Sequence, residues 1–138
     1  MTRAEAKQQL EAFFRKIGIT ASFFEDKNFA KATIGEALIG FEFAETEGVL
    51  NAQALIYRFR NAPNQKVVEA IFAEQQNTET GGGKINFDSE DFSLFLEKSF
   101  TGKNADEEFY KQINLLAQTS LIWSSQILPQ IAEQVHGE

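Results

Sequence analysis

The residue types able to do chemistry are few in this chain. It has one histidine and no cysteine, which excludes disulfides, thiol catalysis, cysteine-ligated zinc and any multi-histidine metal site. His136 lies close to the end of the sequence, where a frayed surface position is expected. Carboxylates are plentiful at Glu42, Glu45, Glu47, Glu90, Asp91, Asp106, Glu107 and Glu108. Paired carboxylates do acid–base work only where a pocket drives their pKa values apart. These lie in turns and at a helix start, where solvent and the helix dipole account for them. Asp88, Glu90 and Asp91 lack the alternate spacing, central glycine and terminal glutamate of a calcium loop. Gly81-Gly82-Gly83 invites a phosphate-loop reading, but such a loop follows a strand and opens a helix. Here a helix precedes and a strand follows, and Glu79 repels an anion, so a plain turn is expected. The expectation is no catalytic residue, no metal ligand and no cofactor.

Charge and length narrow the field further. The 138 residues make a single domain, 1–138, and 13 Lys+Arg against 20 Asp+Glu leave a net charge of −7. That balance disfavours nucleic acid, whose binding rests on neutralising phosphates, and an anionic membrane surface. No apolar stretch approaches the length of a bilayer span. Met1 to Glu5 hold no apolar signal region, so a cytoplasmic location is expected. A binding function is the natural reading.

Periodicity supplies the elements. Thr2 and Glu5 form a capping-box pattern, followed by Ala6, Leu10, Phe13, Phe14 and Ile17 on one helical face and Gly18 as terminator. From Ser22 the period becomes two. A strand is expected to begin at Phe23 and Phe24, turn at Glu25-Asp26-Lys27-Asn28, and resume over Phe29 to Thr33. Ala37, Ile39, Phe41 and Phe43 alternate with Leu38, Gly40 and Glu42, and a hairpin follows at Glu45 to Gly48. Val49 to Phe59 reads as a long strand with Leu50, Ala52, Ala54 and Ile56 on one face and Asn51, Gln53, Leu55, Tyr57 and Phe59 on the other. Pro63 then introduces a short helix over roughly 64–76 with Val67, Val68, Ile71 and Phe72 at helical spacing.

After a loop at 77–83, Ile85 and Phe87 alternate, a turn falls at 88–91, and a strand runs from Phe92 to about Phe100. Asn104 opens the last helix with Glu107 in a cap pattern, and Pro129 is expected to kink or end it near Leu128. The order is α-β-β-β-α-β-β-α, an α+β domain with helices against an antiparallel sheet.

Phenylalanine occurs 14 times, and Phe13, Phe14, Phe41, Phe43, Phe87 and Phe92 are expected in the core. The pattern nevertheless places apolar residues on both sheet faces, while the first and last helices can cover one. The other face calls for the short helix, a second subunit or a bound peptide. A homodimer with some exposed apolar surface follows from this reading.

The whole chain resembles the class I type III secretion chaperones, the Tir-chaperone-like family. Leu10-Glu11-Ala12-Phe13-Phe14-Arg15-Lys16-Ile17-Gly18-Ile19 is similar to that family's first helix and its apolar-Gly-apolar turn. Gly81-Gly82 stand at its Gly-Gly loop, Leu94, Phe95 and Leu96 in its fifth strand, and Asn104-Ala105-Asp106-Glu107 at the start of its final helix. Gly83-Lys84, where relatives often have a proline, and Pro129 depart from the pattern. The resemblance implies a cytoplasmic homodimer without enzymatic activity that holds an extended N-terminal segment of an effector protein. It implies effector contacts at Phe14, Ile17, Leu38 and Phe43 and a dimer seam at Val68, Ile71 and Phe72. Two other readings compete with it. One is an adaptor of the same fold with a folded partner and no secretion role, since fold does not decide function. The other is a small-molecule site in a Phe-lined interior, which needs convergent polar groups.

Overall fold

Thr2 and Glu5 start the first helix as their spacing predicts. The Thr2 hydroxyl accepts from the Glu5 N–H at 3.1 Å, and the Thr2 N–H donates to the Glu5 carboxylate at 2.9 Å. That backbone donation holds the Glu5 carboxyl below the usual carboxylate range. Helix α1 (Arg3–Lys16) buries Ala6, Leu10, Phe13 and Phe14 and stops at Gly18, whose φ of +79° suits a residue without a Cβ. The computed structural model describes residues 1–19 and 28–136. The expected strand start at Phe23 and Phe24 and the turn over 25–27 lie outside the described residues.

Five strands follow the predicted order: β1 (Phe29–Ile34), β2 (Ala37–Ala44), β3 (Val49–Arg58), β4 (Lys84–Asp88) and β5 (Ser93–Phe100). They form one antiparallel sheet in the order β1-β2-β3-β5-β4. Helix α2 (Gln65–Glu74) interrupts them, and its N-terminus is capped by Asn64, whose side chain accepts from the Lys66 N–H at 2.8 Å. Helix α3 (Asp106–Ile122) and helix α4 (Leu128–His136) close the chain, joined by a π-helical turn at Trp123–Ile127.

The helices share one face of the sheet. The Phe13 ring lies edge-on to Phe14, Phe41 and Phe109 at centroid distances of 5.5, 5.6 and 5.7 Å, which ties α1 and α3 to β2. Phe100 extends the cluster from β5 at 4.9 Å from Phe109. Alternate residues Ile39, Phe41 and Phe43 of β2 and Leu50, Ala52 and Ala54 of β3 point into it. Helix α2 packs on α4, on this same side, so the short helix does not cover the opposite face.

Four sequence expectations need correction. First, β3 carries a bulge: Leu55 pairs with Phe95 but Tyr57 pairs with Leu94. The extra residue reverses the alternation. Tyr57 and Phe59 therefore turn toward the helix side, beside Val67 and Leu128, leaving Leu55 alone of the three on the outer face.

Second, Asn104 does not cap α3. The N-cap is Ala105, without a side-chain bond. The Asn104 N–H, from which the Glu107 carboxylate would accept in such a cap, is taken instead by buried Gln9 of α1 at 2.8 Å. Asp106, Glu107 and Glu108 in the first turn offset the helix dipole.

Third, Pro129 does not end the helix, which continues through α4. A proline lacks the N–H and presses on the carbonyl four residues back. The wide turn just before it, with the Leu128 N–H bonded to the Trp123 carbonyl, displaces those carbonyls and keeps the chain helical. Fourth, Phe92 is not part of the core but sits half-buried in the turn at φ 60°, with β5 starting one residue later, while Phe87 packs half-buried against the core's margin.

The glycine run is a close approach, not only a turn. Trp123 is fully buried and donates from Nε1 to the Glu79 carbonyl at 2.8 Å, drawing the 77–83 loop against α3. Gly81 has φ +65°, and a Cβ there would meet Thr119 Oγ1 at 2.8 Å. Gly81→Ala is expected to lower the unfolding free energy by about 1–3 kcal/mol, read as a reduced urea midpoint at unchanged slope.

Candidate functional site

The sheet face opposite the helices is the candidate site. A groove of about 310 Å³ lies on it, bounded by strand and turn residues and by no helix residue. Phe29 from β1, Leu38 from β2, Leu55 from β3 and Phe95 from β5 form its apolar walls. Phe29, at the start of the edge strand β1, and Leu38, beside it on β2, are 39% and 40% exposed, which leaves two large apolar side chains open to solvent. Gly40 forms the floor between them.

Charged groups rim this surface. Arg58 donates from Nε to Ser93 Oγ at 2.9 Å and pairs with Asp91 at 3.5 Å. The Lys31 ammonium sits 5.5 Å from the Phe29 ring centroid. Gln53 donates to Glu97 at 3.0 Å across β3 and β5. Glu42 and Asp88 complete the rim.

The sheet edges differ. The Phe43 N–H bonds to the Asn28 carbonyl at 2.8 Å, which sets the β1–β2 ladder so that Ala30 and Ala32 bond inward. Phe29, Lys31 and Thr33 then direct their N–H and C=O groups away from the sheet. At the far edge, the Ile85 N–H of β4 is taken by the Gln75 side chain at 3.2 Å.

The structure divides the residues expected to bind an effector. Leu38 lines the outer groove. Phe14 and Phe43 are 1% and 3% exposed, inside the core on the opposite side of the sheet. Ile17 is half-buried at the end of α1. On α2, Val68 and Phe72 are half-buried and Ile71 is buried. Leu55 lies on the second apolar face that the alternation predicts, while Phe29 and Gly40 are missed as site residues although the alternation that places Leu38 there places Gly40 beside it. A second apolar cavity of about 440 Å³ lies where β3, α2 and α4 meet, among Tyr57, Phe59, Val67 and Leu128, with His136 at its border. Among the described residues, no group of three or more His, Asp and Glu is placed to hold a metal ion. No helix among them is long and apolar enough to cross a membrane.

No protein-family model and no curated protein sequence matches the chain. Solved structures do. A chain in the crystal structure of the ExsC–ExsE complex superposes with a TM-score of 0.74 at 12% identity, covering 91% of this chain and 96% of that one. A chain of the HopA1–SchA chaperone–effector complex gives 0.66 at 14% identity over 88% of this chain and 94% of that one. The chain shares the fold of these two. A chain of the ExoT–SpcS complex from Pseudomonas aeruginosa gives 0.57 at 11% identity, covering 84% of this chain and 94% of that one. At these identities the likeness is one of fold, and it extends over nearly the full length of both partners.

The inside–outside division is measurable. Leu38→Ala is expected to change stability by less than about 0.5 kcal/mol, while Phe43→Ala costs about 3–5 kcal/mol. Paired denaturant titrations check both.

Proposed function

We propose that this protein is a non-enzymatic secretion chaperone that holds an extended segment of an effector protein, and that it does so as a homodimer. The observation carrying this reading is the helix-free sheet face, apolar at its centre and bordered at β1 by outward-directed backbone groups. An unfolded segment offers what such a surface lacks: backbone donors and acceptors for an edge, and alternate side chains for adjoining pockets. The fold shared with the HopA1–SchA chaperone–effector complex supports the same reading.

Within this proposal Leu38 touches the bound segment directly and Ile17 borders its path at the end of α1. Phe14 and Phe43, sealed inside, act by fixing α1 against the sheet. Val68 and Phe72 on α2 carry the dimer seam, with Ile71 behind them. The net charge of −7 keeps a dimer with apolar surface soluble, and the working compartment is the cytoplasm.

Size-exclusion chromatography with light scattering tests the assembly. The expected mass at micromolar concentration is that of two 15.5 kDa chains, falling to one in Phe72→Glu with unchanged circular dichroism. A monomeric wild type overturns the homodimer. For the ligand, the chain is co-expressed with N-terminal segments of proteins secreted by its host and the complex is digested briefly with protease. A protected segment that is unfolded when free is the expected result. Protection of a folded partner instead supports the adaptor reading.

A further inference from the structure

We propose that the groove over Gly40 selects a large apolar side chain flanked by lysine or arginine in the bound peptide. This rests on reading the chain as a holder of unfolded segments, and it specifies the chemistry of what is held.

The apolar part follows from the missing side chain at Gly40. A Cβ built there meets the Phe29 ring at 3.6 and 3.7 Å and Gln53 Oε1 at 4.0 Å, all ordinary contacts. Neither backbone conformation nor crowding therefore demands glycine at this position. Its effect is to leave a dish walled by Phe29, Leu38, Leu55 and Phe95 and open to solvent. A leucine or phenylalanine from a partner fills that dish and removes apolar surface from water on both sides.

The charged part follows from the rim. The carboxylates on this face are Glu42, Asp88, Asp91 and Glu97, against the cations Lys31, Arg58 and Lys84, the last directly across the β4–β5 ladder from Glu97 and away from Glu42. Arg58 is engaged by Asp91 and Ser93, and Lys31 lies over the Phe29 ring. Among the described residues Glu42 and Asp88 have no ion-pair partner, and Asp88 accepts only the Glu90 N–H at 2.9 Å. They stand at the border of the apolar dish. A cation next to the anchoring side chain meets one or the other. An acidic peptide meets repulsion, which supplies discrimination as well as attraction.

The test uses the full chain, labelled with a heavy nitrogen isotope, and the heptapeptide Ser-Gly-Lys-Phe-Lys-Gly-Ser as probe. Titration is expected to shift the Gly40 and Leu55 amide resonances saturably. Replacing both probe lysines by glutamate, or the phenylalanine by serine, is expected to abolish the shifts. In the protein, Gly40→Leu fills the dish and is expected to weaken the probe about tenfold or more. Glu42→Lys is expected to weaken it roughly threefold, and less at high salt. Thermal melts confirm that both variants are folded.

Equal binding of the glutamate probe, shifts elsewhere than the outer face, or no effect of Gly40→Leu overturns the proposal. So does a Gly40→Leu variant that turns from dimer to monomer, because the face is then occupied by a second copy. The two readings fail separately. An effector segment that binds Gly40→Leu as well as wild type removes the groove and leaves the chaperone. Probe binding at Gly40 in a chain that protects no secreted segment removes the chaperone and leaves the groove.

Discussion

Everything on the sheet's outer face depends on how completely its inner face is filled. Phe13 is the centre of that filling, with the rings of Phe14, Phe41 and Phe109 set edge-on around it and Phe100 reached through Phe109. Edge-to-face rings at such spacing lock one another's orientation, so α1 and α3 are held to one side with little freedom to slide. A strand has two faces, and a domain of this size has helices enough for one. Once the aromatic cluster has claimed the helices, none of the described helices is left for the other face. The acidic, hydrogen-bonded rim around Phe29, Leu38, Leu55 and Phe95 is consistent with a face built to stay soluble.

Much of this was legible in the residues because it repeats. The helical spacing of α1, the Thr2–Glu5 cap and the alternation through β2 and β3 each state the same local preference several times over. The element order follows from them. What was not legible arises once and involves contacts between distant segments. A bulge is a single unpaired residue, and nothing in Leu55-Ile56-Tyr57 distinguishes it from continued alternation. Its effect is large, because it moves Tyr57 and Phe59 across the sheet and leaves the apolar walls of the outer groove to Phe29, Leu38, Leu55 and Phe95.

The same logic covers the ends of α3. Asn104 looks like a cap in a local window, but Gln9 reaches its amide from a helix 95 residues earlier in the chain. Pro129 looks like a stop, yet the wider turn before it absorbs the proline while Trp123 fastens the 77–83 loop. Of the candidate site, Leu38 was visible, and its neighbours on the face were available from the same alternation. Phe14 and Phe43 enter the site only through the resemblance, whereas helical spacing and strand alternation already place both in the core, where the structure has them.

The unequal sheet edges have a consequence for self-association. An apolar sheet with free borders is a template on which further strands can stack without limit, the route to fibres. Here β4 is five residues long and one of its outward amides is already taken by Gln75, so a strand arriving there finds little to bond. At β1 the outward groups of Phe29, Lys31 and Thr33 meet no backbone partner among the described residues. A border that accepts one visitor beside a border that discourages it gives growth a direction and an early end. That asymmetry separates a surface that holds an unfolded chain from one that seeds aggregation of its own kind.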